Sequence, residues 1–184
     1  MANDIARATS VSAGDTALTH PADQSTMDIG LLVLRVTVGL FIAGHGSQKL
    51  FGWFSGNGIN GTAKFFESVG YDPGKLYAVI GGLIEFGGGL ALIAGFFTPL
   101  VGAAILGDML NATSVKWSGG FFGGSGFEYE LLLAICGGVI AFTGPGRIAV
   151  DHFLPVLRRH RLAYGAGCVV LALILAGITL AIKK

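Results

Sequence analysis

The chain has little charge and few cysteines. Only 12% of its 184 residues are charged, about half the share in a typical soluble domain, whereas 52% are hydrophobic. A net charge of +1 argues against the concentrated basic face that nucleic-acid binding needs, so no nucleic-acid partner is expected. Cys136 and Cys168 do not form a CxxC pair and lie in apolar runs, which argues against a disulfide scaffold or a dithiol redox centre.

The amino-terminal region also lacks the apolar core of a signal peptide. Residues 2–27 are rich in Ala, Ser, Thr and Asp and contain no apolar run. We therefore expect residues 1–27 to form a polar, disordered tail that does not insert into a membrane.

Long apolar runs, by contrast, fill the rest of the chain. A helix that spans a membrane needs about 20 mostly apolar residues. Five runs approach or reach that length: residues 29–51, 76–97, 100–117, 127–142 and 162–182. The sequence thus predicts an all-α, polytopic membrane helix bundle. Its domains are a four-helix transmembrane domain in residues 28–150, then a basic loop and an extra carboxy-terminal transmembrane helix in residues 151–184.

Glycine is abundant within these runs, with 31 in the chain. Small residues four apart let membrane helices approach closely. Gly87, Ala91 and Gly95 have this spacing in the second run, as do Ala103 and Gly107 in the third. These two stripes predict tight packing between helices.

The connection formed by residues 52–74 has two interpretations. Its segment 62–69 would place Phe65, Phe66 and Val69 on one face of a short interfacial helix. An ordinary loop anchored by aromatic residues fits equally well.

Positive charge indicates how the chain is oriented. Arg147 and the cluster Arg158-Arg159-His160-Arg161 lie in one short connection between the fourth and fifth runs. The positive-inside rule then predicts a cytoplasmic amino terminus.

Ionisable residues inside the runs are the strongest functional signal. They are costly in a membrane, so they face the protein interior and are paired or functional. His45 and Lys49 lie one helical turn apart, and alternation of the spans brings most of the other buried charges to the same half of the bundle. Arg35 lies alone in the opposite half. The converging residues are His45, Lys49, Glu85, Asp108, Lys116, Glu128 and Glu130.

This set is divided into two predicted roles. The predicted ligand-binding residues are His45, Lys49, Glu85, Asp108 and Glu130, and the predicted structural ion-pair residues are Arg35, Lys116 and Glu128. No residue is assigned as catalytic. No metal site is expected, because no second histidine is near His45 in sequence and His152 falls on the opposite side. Ion pairs that only lock the register of the helices remain the alternative for each residue.

Several segments together resemble the DoxX family of bacterial membrane proteins. The most specific is Gly44-His45-Gly46-Ser47-Gln48-Lys49-Leu50-Phe51-Gly52, preceded by Leu34-Arg35-Val36. The other matching segments are Thr62-Ala63-Lys64-Phe65-Phe66, Gly82-Leu83-Ile84-Glu85, Phe97-Thr98-Pro99 and Glu128-Tyr129-Glu130-Leu131. The resemblance covers about residues 29–150 and implies a four-helix core, with the fifth helix outside the family pattern.

What the resemblance implies is a membrane redox subunit in the bacterial cytoplasmic (inner) membrane. The chain is similar to the small quinone-reducing subunit of thiosulfate–quinone oxidoreductase. This similarity implies a quinone cofactor, menaquinone or ubiquinone, in sulfur or thiol oxidation or in oxidative-stress defence. Expected partners are membrane lipids, further copies of the chain, and soluble redox enzymes such as a superoxide dismutase and a sulfurtransferase.

Two other functions fit the same buried charges. A small-solute or proton-coupled transporter would need helices broken at mid-membrane, for which the run Gly87-Gly88-Gly89 is a candidate. A non-catalytic scaffold would dock soluble redox enzymes through residues 52–74 or 158–161.

Overall fold

The computed structural model describes residues 21–155, 157 and 162–184. Within these residues the secondary structure is helical and contains no strand. The α-helices are α1 (Pro21–Phe51), α2 (Gly58–Ser68), α3 (Gly74–Ala94), α4 (Thr98–Lys116), α5 (Glu128–Thr143) and α6 (Leu162–Ile182). Residues 1–20 of the predicted tail and the cluster at residues 158–161 lie outside the described residues.

Helices α1, α3, α4 and α5 form a four-helix bundle, and α6 packs outside it. The closest pairs are α1 with α3 and α4 with α5, joined by contacts of α3 with α4 and of α1 with α5. Helix α6 packs on α4 and α5, while α2 lies against α1 and α3. The predicted all-α fold, a four-helix core plus a fifth long helix, is therefore confirmed.

Three helices among the described residues are long and apolar enough to cross a membrane: Gln24–Phe51, Gly74–Ala94 and Leu162–Ile182. We expected five. Helix α4 carries Asp108 and several other polar residues, and α5 has only 16 residues. At 1.5 Å per residue, α5 is about 24 Å long, slightly shorter than the hydrocarbon core of a bilayer.

Close packing of the helices depends on glycines, though not all of those predicted. A Cβ atom on Gly39 would lie 2.7 Å from the Gly89 carbonyl oxygen, so α1 and α3 touch through their backbones there. Gly102 of α4 and Gly137 of α5 meet in the same way, also at 2.7 Å. Added side-chain atoms at these positions would force the helices apart.

The predicted glycine stripe of α3 is confirmed only in part. Helix α3 presents Gly89 rather than Gly87 to α1. Gly95, by contrast, packs closely against the Arg35 side chain, and a Cβ on it would lie 2.6 Å from the Cβ of Ala149. Gly87 has no atom within 4 Å of an added Cβ, and Gly95 ends the helix in the left-handed conformation. In α4 the stripe is confirmed: Ala103 is buried, and a Cβ on Gly107 would lie 3.2 Å from the Ala172 carbonyl oxygen of α6.

Two structural alternatives from the sequence are now decided. Residues 58–68 form helix α2, so the connection after α1 contains a short helix. Helix α3 runs without a break through Gly87, Gly88 and Gly89. The helix interruption that would favour a transporter is therefore absent at these glycines.

Candidate functional site

The two ends of the bundle hold different sets of charged residues. The Arg35 end contains Asp28, Arg35, Arg147 and Asp151. Arg35 is 0% exposed, and its guanidinium donates hydrogen bonds to the carbonyl oxygens of Leu92 at 3.1 Å and Ile148 at 2.5 Å. These bonds join α1 to the end of α3 and to the segment after α5.

Asp151 completes the Arg35 end. Its two carboxylate oxygens accept hydrogen bonds from the backbone N–H groups of Phe97 and Thr98, each at 2.8 Å, at the first turn of α4. This contact satisfies donors that a helix start leaves unpaired. We expected Arg35 to lie alone in its half of the bundle. This expectation is wrong, because the charge of Asp151 acts on it. Its hydrogen bonds nevertheless go to backbone oxygens.

The Lys49 end comprises the charged and polar residues of the opposite half: His45, Lys49, Glu85, Asp108, Lys116, Tyr129 and Glu130. Lys49 of α1 forms a salt bridge with Glu85 of α3, whose side chain is 2% exposed. Asp108 of α4 interacts electrostatically with both. Glu85 Oε2 and Asp108 Oδ2 are buried and have no hydrogen-bond partner among the described residues. One ammonium therefore stands beside two buried carboxyl groups.

A second group lies next to it, between α1, α4 and α5. Lys116 and Glu130 form a salt bridge of 2.5 Å, and His45 contacts the Tyr129 hydroxyl at 3.2 Å. Glu128 makes no salt bridge to another described residue. It lies in the first turn of α5, where a negative charge is favourable to the helix dipole.

An apolar cavity of about 370 Å³ opens beside Lys49 and Asp108, between α3, α4 and α6. Its wall includes Ile80 of α3 and Ile178 of α6, which are 45% and 51% exposed, so the cavity opens sideways between these helices. This mouth is on the apolar flank of the bundle, where lipid would lie. The polar residues that line the cavity are Lys49, Tyr71, Tyr77, Asp108, Asn111 and Thr179.

Four of these polar residues were not predicted: Tyr71, Tyr77, Asn111 and Thr179. The hydroxyls of Tyr71 and Thr179 both donate hydrogen bonds to Asn111 Oδ1, at 3.0 and 2.9 Å, and close one end of the cavity. Burial raises the pKa of Tyr71, so its hydroxyl stays protonated. Thr179 could have been found from the sequence, because it is a polar residue in the otherwise apolar last helix. Tyr71 lies in the connection between α2 and α3, where no sequence pattern indicated a site residue.

A second, polar cavity of about 250 Å³ lies under α2. It is lined by His45, Gln48, Lys49, Ser55, Gly56, Asn57, Thr62 and Phe65. Lys49 is therefore part of both cavity walls, whereas His45 lines only the polar one.

The predicted ligand-binding residues thus separate into three places. Lys49 and Asp108 line the apolar cavity, with Glu85 bonded to Lys49. His45 lies at the polar cavity, and Glu130 is paired with Lys116. In the described part of the chain, no three His, Cys, Asp or Glu side chains are grouped to hold a metal ion.

Comparisons with known proteins identify the family of the chain. The model of the DoxX family matches residues 30–118, which include Lys49, Glu85 and Asp108. Two relatives extend the match. One is 32% identical over 130 residues, covering 70% of this chain and 90% of its own length; it is named "Putative oxidoreductase CatD" in Bacillus subtilis (strain 168). The chain belongs to the DoxX family.

The second relative is named "Inner membrane protein YqjF" in Escherichia coli (strain K12). It is 34% identical over 130 residues, covering 69% of this chain and 93% of its own length. No solved structure matches the chain. This DoxX-family chain is a membrane protein, and its family match ends at residue 118, before α5 and α6.

Proposed function

We propose that this DoxX-family protein is the quinone-binding membrane subunit of an oxidoreductase system that acts in sulfur or thiol oxidation or in oxidative-stress defence. The observation that carries the proposal is the apolar cavity with Lys49 and Asp108 in its wall. The name of the Bacillus relative supports an oxidoreductase, and the resemblance noted in the sequence supports the quinone.

The cavity fits the chemistry of a quinone. A quinone has a flat apolar ring, an apolar tail and two carbonyl oxygens that accept hydrogen bonds. The cavity is mostly apolar, opens toward lipid between α3 and α6, and presents the Lys49 ammonium as a hydrogen-bond donor. A largely apolar pocket with a few placed polar groups is typical of cofactor sites. The buried Asp108 Oδ2, which has no partner among the described residues, is a further polar atom for such a ligand.

The carboxyl pair supports proton handling at this site. When bound, a quinone supplies two-electron redox chemistry, which is accompanied by uptake of protons. Glu85 and Asp108 interact with each other beside a single ammonium, Lys49. Two buried carboxylates so close are costly when both are charged, so we infer that Asp108, which has no cationic partner of its own among the described residues, carries a proton. Asp108 lines the cavity and is the group that would release this proton toward the ligand.

Lys49 has an orienting role in this proposal. An ammonium has three N–H donors, of which one is directed to Glu85. The others are available to a carbonyl oxygen in the cavity, and the positive charge favours negative charge that develops there. The resemblance supplies a superoxide dismutase and a sulfurtransferase as candidate partner proteins of such a system.

Filling the cavity tests the proposal. A Cβ on Gly81 would lie 3.7 Å from Asp108 Oδ1 and 3.8 Å from the Phe66 ring, so Gly81→Leu places a side chain inside the cavity. Gly87 is on the same helix and has open space around it, so Gly87→Leu is the matched control. Each protein is reconstituted in lipid nanodiscs, and the affinity for a short-chain ubiquinone and a short-chain menaquinone is measured by equilibrium binding.

We expect Gly81→Leu to weaken quinone binding by tenfold or more, which corresponds to a loss of about 1.4 kcal/mol or more. Gly87→Leu should bind as the wild type does. Equal binding by both variants, or no saturable binding of either quinone to the wild type, would refute the proposal.

We further propose that the amino terminus is cytoplasmic, with the Arg35 end on that side of the inner membrane. Arg147 and the basic residues 158–161 follow α5, and the positive-inside rule supports this orientation. Reporter fusions at residues 20 and 184 test this orientation. The five predicted spans are an odd number, so the two fusion points should lie on opposite sides of the membrane. A cytoplasmic signal from the carboxy-terminal fusion would contradict it.

A further inference from the structure

The quinone proposal assigns no role to the polar cavity under α2. Its walls come from the end of α1, the connection that follows, and the first half of α2. Of its lining side chains none is acidic, whereas Lys49 is cationic and His45 carries a titratable imidazole. A cavity with this charge favours a negatively charged ligand.

Hydrogen-bonding groups in this cavity are free to bind a ligand. Thr62 is only 6% exposed and lines the cavity, yet its side chain makes no hydrogen bond to another described residue. Asn57 stands at the start of α2 and forms no side-chain capping bond. The Thr62 hydroxyl is therefore available to a ligand in the cavity.

The start of α2 adds to this effect. Helix α2 has 11 residues and no acidic residue in its first turn, so its unpaired N–H groups are not neutralised by a carboxylate. These groups lie at Gly58 and the following residues, next to Asn57 in the cavity wall. The cavity wall itself supplies hydrogen-bond donors from Lys49, Asn57 and the Thr62 hydroxyl, which suits an oxyanion, and the partial positive charge of the helix start lies beside it.

We propose that the polar cavity is a binding site for a small oxyanion, either a free anion or the phosphate of a lipid headgroup, held by Lys49, Asn57 and Thr62. The volume of about 250 Å³ accommodates a tetrahedral oxyanion or a small carboxylate. Lys49 is shared with the apolar cavity, so an anion in this site competes with Glu85 for the ammonium. The site does not depend on the quinone proposal.

Equilibrium binding of radiolabelled inorganic phosphate to the full chain tests the site, by scintillation proximity in a maltoside detergent without phospholipid and without quinone. We expect saturable binding to the wild type. Thr62→Val and Asn57→Ala each remove one hydrogen-bonding group and should weaken binding by about three- to tenfold. Glu85→Gln frees the Lys49 ammonium and should strengthen binding. Lys64→Gln removes an exposed charge of α2 that does not line the cavity, and should have no effect.

Competition identifies the source of the oxyanion. If soluble sulfate and acetate displace phosphate but short-chain phosphatidylglycerol does not, the ligand is a free anion. Displacement by phosphatidylglycerol supports the lipid headgroup. Absence of saturable phosphate binding, or an equal loss in Lys64→Gln and Thr62→Val, would overturn the proposal. Because quinone is absent from the assay, this failure would leave the quinone proposal untouched.

Discussion

The two ends of the bundle use buried charge in different ways. At the Arg35 end, charged side chains bind mainly to the backbone: Arg35 to the carbonyl oxygens of Leu92 and Ile148, and Asp151 to the start of α4. At the Lys49 end, charged side chains bind one another and line two cavities.

Backbone partners are fixed by the fold, whereas side-chain partners beside a cavity can be exchanged for a ligand. The comparison shows that a buried charged side chain has a structural role where its hydrogen bonds go to backbone groups. We propose a binding role at the Lys49 end because Lys49 and Asp108 line a cavity there. Unpartnered buried atoms alone do not separate the ends, since Arg35 Nε also has no partner among the described residues.

The largest expected effect is at Arg35. Arg35→Met keeps the length of the side chain but leaves two carbonyl oxygens without their buried donor. We expect a loss of about 1–3 kcal/mol of unfolding free energy for each of the two carbonyl oxygens left unsatisfied. Denaturant unfolding in detergent measures it. The control is Arg147→Met, because Arg147 is 51% exposed in its pair with Asp28 and should contribute at most about 1 kcal/mol.

The Arg35 variant also sharpens the comparison through binding. Quinone affinity of the folded fraction should remain at the wild-type value, because no residue of the Arg35 end lines the cavity. A stable Arg35→Met protein that fails to bind quinone would contradict the assignment of the Arg35 end to the fold alone.

The next effect is at the start of α4. Asp151→Ala removes the acceptor of two backbone N–H groups, and we expect a loss of about 1–2 kcal/mol, as for other helix caps. Asp151→Asn keeps one oxygen acceptor and should lose less. Thermal unfolding of the two variants measures the difference. If both lose the same amount, the charge of Asp151, rather than its capping bonds, stabilises the end.

At the Lys49 end we expect that removing a carboxyl group does not lower the unfolding free energy. Asp108→Asn removes one of two close carboxyl groups while it keeps the shape of the side chain. We expect the unfolding free energy to stay within about 1 kcal/mol of the wild type or to rise, since buried like charges are unfavourable. Quinone affinity should fall. A clear loss of stability with unchanged binding would assign Asp108 to the fold.

The smallest expected effect is at the wall formed by α6. Thr179→Val removes the hydrogen bond of 2.9 Å to Asn111 and should weaken quinone binding by no more than about fivefold, the range of one neutral hydrogen bond. Thr143→Val is the control, since that hydroxyl bonds Val139 within its own helix α5. Equal affinities for the two variants would show that α6 does not shape the site.

Much of the fold could be predicted from hydropathy. The five apolar runs correspond to α1, α3, α4, α5 and α6, because the cost of exposing backbone to lipid makes each long run a helix. The start of α1 could not be predicted in this way. Residues 21–27, inside the polar segment, are already helical, and a polar segment gives no hydropathy signal for this extension.

The face that each helix presents was harder to predict. Gly87 and Gly89 are two residues apart, so they point to different sides of α3, and only the position of α1 decides that Gly89 packs. The same limit applies to the site. Span alternation placed the charges of the Lys49 end in one half of the bundle without fixing the individual pairs. Only the rotation of the helices decides that Lys49 pairs with Glu85 and Lys116 with Glu130, while His45 contacts Tyr129. Tyr71 reaches the apolar cavity from the connection between α2 and α3, where no helical periodicity indicates which side chains face the site.

Native mass spectrometry of protein extracted with its own membrane lipids tests the central claim most directly. The claim is that the charges of the Lys49 end serve a ligand in the apolar cavity, whereas those of the Arg35 end serve the fold. We predict one bound quinone per chain in the wild type and in Asp151→Ala, and none in Gly81→Leu. Quinone retained by Gly81→Leu, or absent from the wild type, would contradict the claim.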